Sequence, residues 1–198
     1  MNSLGIIGGG QLGMFICQAA KSLGIKTSIF SENSDFSAKK FCDQYFIGKF
    51  SNSEILKSFI NSADCFTVET ENIPFEMLQK ISSVKQIFPD PKIIKICQNR
   101  LKEKKFLNSL KNVKTANFFE INSFKDLEKN ICHVNNNGIL KTSEFGYDGK
   151  GQYKIENGKI KSFRNLNLKN FILEELLYYE KEISVIVCRK NKEVKPYP

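Results

Sequence analysis

Metal-ligating side chains are scarce in this sequence. His133 is the only histidine, and the six cysteines (Cys17, Cys42, Cys65, Cys97, Cys132 and Cys188) are scattered without a C-x-x-C pair. No zinc constellation can be assembled from that set. The cysteines lie mostly inside apolar segments and read as reduced core residues of a cytoplasmic protein. Arginine is almost as rare: of 30 basic residues only Arg100, Arg164 and Arg189 are arginine. A reader of phosphates and base edges leans on arginine's planar fork, so the net charge of +9 is read as a lysine-rich solvated surface and not as a nucleic-acid groove. Long apolar runs are missing too. None approaches the ~20 residues a membrane helix needs, and the start lacks the charged-then-apolar layout of a signal peptide. There is no internal repeat and no low-complexity tract.

What is present suits packed cores: 41% of residues are hydrophobic, and 17 are phenylalanine. The first ninety residues alternate strand and helix. Leu4–Ile7 reads as a strand, the apolar stripe Leu12, Phe15, Ile16, Ala19, Ala20, Leu23 as a helix closed by Gly24, and Lys26–Phe30 as a strand. A helix follows over Ser53–Ile60, capped by Ser53 or Ser51, then a strand over Cys65–Glu69, a helix from Pro74 to Ile81 and a strand at Gln86–Phe88. Such alternation predicts a parallel sheet covered on both faces. Asp90-Pro91 reads as a helix cap with proline at the first helical position, and a helical tract broken near Asn99 runs to about Leu110. The boundary is therefore placed at Pro89–Pro91, dividing the chain into 1–90 and 91–198.

The second part reads as α+β. Strand Asn117–Ile121 is followed by a helix from Ser123 with Asp126 at capping spacing, then strand Gly138–Thr142, and strand Gln152–Ile155 turning at Asn157-Gly158 into Lys159–Lys161. Strands at Phe171–Leu177 and Glu182–Cys188 come next, and Glu193–Pro198 resembles another strand entering. A sheet built from these alone leaves an apolar face bare, which suggests a fragment.

Three constellations carry chemistry. Gly8-x-Gly10-x-x-Gly13 follows a strand and opens a helix, with Glu32 at the end of the next strand. Free N–H groups and the positive helix end favour an anion there, and both a nicotinamide cofactor and a ribose-5-phosphate satisfy the pattern. A plain tight turn is the bland reading. Glu69 and Glu71, two apart at a strand's carboxyl end, can take ribose hydroxyls or a cationic ring; a solvated strand end is the alternative. The third set is Arg100, Lys141, the glycine-rich run Gly146-Tyr147-Asp148-Gly149-Lys150-Gly151-Gln152, Glu174-Glu175-Leu176-Leu177 and Glu182. A loop poor in Cβ atoms lets N–H groups surround phosphate oxygens, with Lys141 and Lys150 adding charge. Taken alone, such a loop is a mobile surface connection. Taken with its neighbours in one shared hollow, it binds nucleotide.

These residues make the chain resemble the N5-carboxyaminoimidazole ribonucleotide synthase family of the ATP-grasp superfamily. The resemblance runs through Ile6-Ile7-Gly8-Gly9-Gly10-Gln11-Leu12-Gly13, Glu69-x-Glu71-Asn72-x-Pro74, Arg100-Leu101-x-Glu103-Lys104-x-Phe106-Leu107, Leu140-Lys141-Thr142 with Gly146–Gln152, and Glu174-Glu175 with Glu182-Ile183-Ser184-Val185. It implies an α/β fold, a Rossmann-like parallel-sheet pre-ATP-grasp domain followed by an incomplete α+β ATP-grasp domain with a lid at about 115–177. The implied reaction converts ATP, bicarbonate and 5-aminoimidazole ribonucleotide into the N5-carboxylated ribonucleotide, ADP and phosphate, through carboxyphosphate. The implied ATP-binding set is Arg100, Lys141, Gly146, Tyr147, Asp148, Gly149, Lys150, Gly151, Gln152, Glu174, Glu175, Leu176, Leu177 and Glu182, with Tyr147, Asp148 and Lys150 nearest the chemistry. The implied ribonucleotide-binding set is Gly9, Gly10, Gln11, Leu12, Glu69 and Glu71. Mg2+ ligands are expected beyond Pro198, so the chain alone should not turn over; the full-length protein should be a cytoplasmic homodimer that binds no nucleic acid and no membrane. Met14 departs from the arginine common in relatives. The competing reading, an NAD(P)-dependent oxidoreductase, rests on Gly8–Gly13 and Glu32.

Overall fold

The structure, a computed structural model, describes residues 2–144, 151–160 and 166–197. Strands β1 (Ser3–Ile7), β2 (Lys26–Ser31), β3 (Gln44–Ile47), β4 (Cys65–Val68) and β5 (Gln86–Phe88) form one sheet in the order β3-β2-β1-β4-β5, with every pairing parallel. Successive side chains of a strand face opposite sides, so β1 serves two cores. Ile6 joins Ile29, Cys17 and Ala38 on the side covered by α1 (Gln11–Ser22) and a short 3-10 turn at Ser37–Lys40. Ile7 joins Phe30, Phe59, Phe66, Leu78 and Ile81 on the side covered by α2 (Ser53–Asn61) and α3 (Phe75–Ser82). Phe59 stands edge-on to Phe66 at 5.1 Å and tilts against Phe30 at 5.5 Å, each ring fully buried. Burying a phenylalanine side chain contributes about 1.5–3 kcal/mol, so these three rings are a substantial part of this core.

Asp90 accepts a hydrogen bond from Lys92 N at 2.8 Å and Pro91 opens α4 (Pro91–Cys97). The expected break falls at Asn99, whose Oδ1 accepts from Lys102 N at 3.0 Å and caps α5 (Arg100–Ser109). Then come β6 (Phe118–Ile121), α6 (Phe124–Asn130), β7 (Gly138–Thr142), β8 (Gln152–Ile155) and β9 (Phe171–Glu175). The strands make an antiparallel sheet in the order β6-β9-β7-β8, with Leu140, Leu173, Ile121 and Ile155 packed on α6 through Leu127. Ser123 Oγ caps α6 by accepting from Asp126 N at 3.1 Å. Asn157 and Gly158 both have positive φ, 51° and 64°, and Lys159 N closes the turn on Glu156 O at 3.2 Å. Lys161, where the strand expected after that turn ends, lies outside the described residues. Last, β10 (Ile186–Lys190) and β11 (Glu193–Tyr197) pair antiparallel as a separate hairpin, exposed throughout.

Several expectations need correction. Asn52, not Ser53 or Ser51, caps α2, accepting from Glu54 N and Ile55 N at 3.0 Å each. β3 was not anticipated: it is an edge strand whose pattern is weak because only Phe46 packs on the core. β9 stops at Glu175, short of Leu177, and the strand expected over Glu182–Cys188 forms at Ile186–Lys190 instead, because its register is set by pairing with β11. The cysteines are free, but only Cys17 and Cys65 are buried; Cys97, Cys132 and Cys188 are exposed. No helix among the described residues is long and apolar enough to cross a membrane.

Candidate functional site

The carboxyl ends of β1, β2 and β4 converge on one cavity of about 650 Å³. At its floor Gly8 takes a φ of +102°, a conformation side-chain-bearing residues rarely adopt, and donates its N–H to Phe30 O at 2.9 Å. Gly10 then precedes α1 in an extended conformation with no side-chain cap, leaving the first-turn N–H groups of a twelve-residue helix directed at the cavity end. Ala38 N donates to Gly9 O at 3.0 Å and brings the 3-10 turn and Phe36 alongside. The opposite wall is the loop after β4, where Glu69 N donates to Ile7 O at 2.8 Å and Ile73 N to Glu71 O at 2.8 Å. The Glu69 carboxylate lies against Gly8 and Gly10, where a β-carbon on either glycine would collide with it.

This cavity gathers Gly9, Gly10, Leu12, Glu69 and Glu71 from the expected ribonucleotide set, while Gln11, exposed on the first turn of α1, does not line it. Sequence reasoning missed Asp35 and Phe36, which also line it, together with Thr70 and Asn72 of the strand-end motif. The lining is acidic: Glu32, Asp35, Glu69 and Glu71 contribute carboxylates, and among the described residues no lysine or arginine does. Such a wall accepts hydroxyls and N–H groups, and leaves an anion only the backbone at the head of α1.

A second cavity of about 560 Å³ lies across the same loop. It shares Glu69, Thr70, Glu71 and Asn72 with the first and is otherwise walled by Val68, Pro89, Ile94, Cys97, Gln98, Arg100, Glu103 and Ser143. Arg100 opens α5, and its N–H donates to Ser143 O at 2.9 Å, joining α5 to the end of β7. The Cys97 residue is exposed overall, yet partial desolvation first and then the Glu103 and Glu71 carboxylates raise its thiol above the ordinary pKa.

The remaining expected nucleotide residues are only partly brought together. Lys141 Nζ sits 2.9 Å from Glu174 Oε2, and Lys104 Nζ reaches the same oxygen at 3.5 Å. Glu174 is 7% exposed, so two ammonium groups compensate its carboxylate in place of water. Lys141 therefore meets a phosphate only in competition with Glu174. Gln152 pairs opposite Lys141, and Thr142 N donates to Gly151 O at 3.0 Å, which sets both feet of the glycine-rich run on β7 and β8. Gly146, Tyr147, Asp148, Gly149 and Lys150 lie outside the described residues. Glu175 binds Asn117 Nδ2 at 2.8 Å, Leu177 is exposed, and Glu182 is exposed in the irregular stretch before β10. The single hollow expected to hold Arg100, Lys141 and Glu182 is not formed by these two cavities: Arg100 lines one, and Lys141 and Glu182 line neither.

Two family models match consecutive stretches: the ribonucleotide synthetase preATP-grasp domain over residues 1–98 and the ATP-grasp domain over 105–198. A Brucella melitensis protein named N5-carboxyaminoimidazole ribonucleotide synthase is 31% identical over 95% of this chain and 53% of its own length. The Staphylococcus aureus N5-carboxyaminoimidazole synthetase, solved in complex with ADP, is 30% identical and superposes with a TM-score of 0.92 over 100% of this chain and 53% of its own. Together the two models span nearly the whole chain, which belongs to the ATP-grasp proteins and is similar along its length to N5-carboxyaminoimidazole ribonucleotide synthases. It also matches a Dictyostelium discoideum protein named bifunctional purine synthesis protein purC/E, with 38% identity over 95% of this chain and 19% of that protein. The chain spans about half the length of the synthases it matches.

Glu32, the acid on which the oxidoreductase reading rests, lines the first cavity and accepts from Phe50 N at 2.8 Å through Oε1. Among the described residues no group of three or more His, Cys, Asp or Glu converges as metal ligands.

Proposed function

We propose that this chain supplies the ribonucleotide-binding unit and the first part of the ATP-grasp unit of an enzyme that carboxylates the exocyclic amine of 5-aminoimidazole ribonucleotide. ATP and bicarbonate would be consumed through carboxyphosphate, giving ADP and phosphate. The observation that carries the reading is the Glu69–Asn72 loop shared by two cavities, one headed by the glycine turn of β1–α1 and the other by Arg100 and Ser143. One cavity suits a sugar phosphate: backbone N–H groups for the anion, carboxylates of Glu69 and Glu71 for hydroxyls. The other opens toward the feet of the glycine-rich run, where Arg100, Lys141 and Gly146–Gln152 would hold a triphosphate. The S. aureus relative was solved with ADP, which supports nucleotide binding by a protein of this fold.

In this scheme the residues position and neutralise, with no covalent enzyme intermediate. Carboxyphosphate is hydrolysed by water, so a lid, Gly146–Gln152 within a lid subdomain of about 115–177, would protect it by covering the phosphates, with Tyr147, Asp148 and Lys150 nearest the reacting groups. Glu174–Leu177 would face adenine and Glu182 its ribose. Division of the chain at residues 90 and 91 belongs to the same proposal, as do bicarbonate as the carbon donor, Mg2+ on the nucleotide, a homodimer at full length and a cytoplasmic setting. Calorimetric titration tests it: ADP and 5-aminoimidazole ribonucleotide should each bind, and NADH should not. Binding of NADH with neither of the others would replace it with the oxidoreductase reading.

A further inference from the structure

Three consecutive residues at the junction of α4 and α5 grip both halves of the site. Gln98 Nε2 lies 2.6 Å from Glu71 O and 2.6 Å from Ile73 O, so one amide holds both ends of the turn that follows the shared wall. Asn99 uses its amide in two directions: Oδ1 caps α5 through Lys102 N, and Nδ2 donates to Glu144 Oε1 at 2.9 Å. Arg100 N then donates to Ser143 O at 2.9 Å. The segment held on one side carries Glu69 and Glu71, and the segment held on the other leads directly into residues 145–150.

We propose that Gln98 and Asn99 are positioning residues that yoke the ribonucleotide wall to the base of the glycine-rich run, so that each ligand tightens the other. The inference rests on the functional reading above. A helix junction needs only a cap, and Asn99 Oδ1 provides it. The donation to Glu144 and the double donation from Gln98 serve no helix; they reach outward, to the two segments that the ligands would touch. Ligand-induced settling of either segment is transmitted through one rigid turn, and by linkage the effect must be equal in both directions.

Isosteric exchanges separate this role from folding. Asn99→Asp keeps the cap but turns an acceptor toward Glu144, and Gln98→Glu does the same toward two carbonyl groups. ADP affinity of the intact protein is measured by calorimetry with and without saturating 5-aminoimidazole ribonucleotide, and then reciprocally. The parent should show mutual tightening of about fivefold or more, and each variant should bring the factor close to one while retaining the parental melting temperature. Pairing Asn99→Asp with Glu144→Gln exchanges donor and acceptor and should restore the coupling. Ligands that bind the parent independently, variants with undiminished coupling, or a loss of coupling only alongside a collapsed melting temperature would each overturn the proposal. A parent that binds neither ligand would instead refute the functional reading beneath it.

Discussion

A side chain at Gly10 would have to displace the Glu69 carboxylate, which occupies the place of its missing β-carbon. Gly10→Val should therefore cover the head of α1 and push Glu69 aside together. Ribonucleotide binding is expected to weaken by at least about tenfold, the equivalent of ~1.4 kcal/mol, with ADP binding retained. Calorimetry with both ligands checks this, and equal loss of both would mean the variant is misfolded. The glycine turn and the two glutamates were legible because each sits in a short pattern whose geometry is local: positive φ after a strand, alternation at a strand end. The facing of Glu69 onto Gly10 was not legible, since it joins β1 to a loop 59 positions later by way of parallel pairing. Gln98 gave no signal at all; an isolated glutamine at a helix end has no pattern to betray its partners.

Helix caps were read well at Asp90 and Ser123, where side chain and recipient N–H are two or three residues apart. Strand ends were read less well, because apolar content continues past the last pairing: Leu176 and Leu177 extend the pattern of β9 but not its ladder. The pairing of β7 with β9 has a consequence that no local pattern announces. It brings Lys141 onto Glu174, buried together with Lys104 from α5. Lys141→Met would leave that carboxylate with only the more distant cation and should lower stability by about 1–3 kcal/mol, read from the urea midpoint at constant slope. Nucleotide affinity of this variant must be compared below its unfolding transition, because a lost phosphate contact and a lost ion pair would otherwise be confused.

For the molecule as a whole, alkaline pH tests the packing on the α1 side of the parallel sheet. Burial is the main reason that the Cys42 thiol is pushed up to about 11 from an ordinary 9.0, with Cys17 beside it adding to the rise. Cys17 itself moves in the same direction, again chiefly through burial. Between these values the unfolded chain gives up a proton that the folded chain keeps, so the folded state holds more protons and stability must fall as pH rises from about 9 to about 11. A urea midpoint that drops over this range in the parent, and drops less in Cys42→Ala, is the expected result. An identical drop in both would assign the loss to other groups. That a parallel sheet covered on both faces precedes an α+β part was legible from strand and helix alternation, though the strand order within each sheet was not. The lone β10–β11 hairpin was legible only as an unsupported apolar tract. From residue 177 to 197 every position is exposed, Ile183, Ile186, Val187 and Val194 among them. Such a ribbon, with free edges and greasy flanks, gives the chain a colloidal character: at high concentration it will seek other ribbons, and its solubility will be governed by the lysines that surround it.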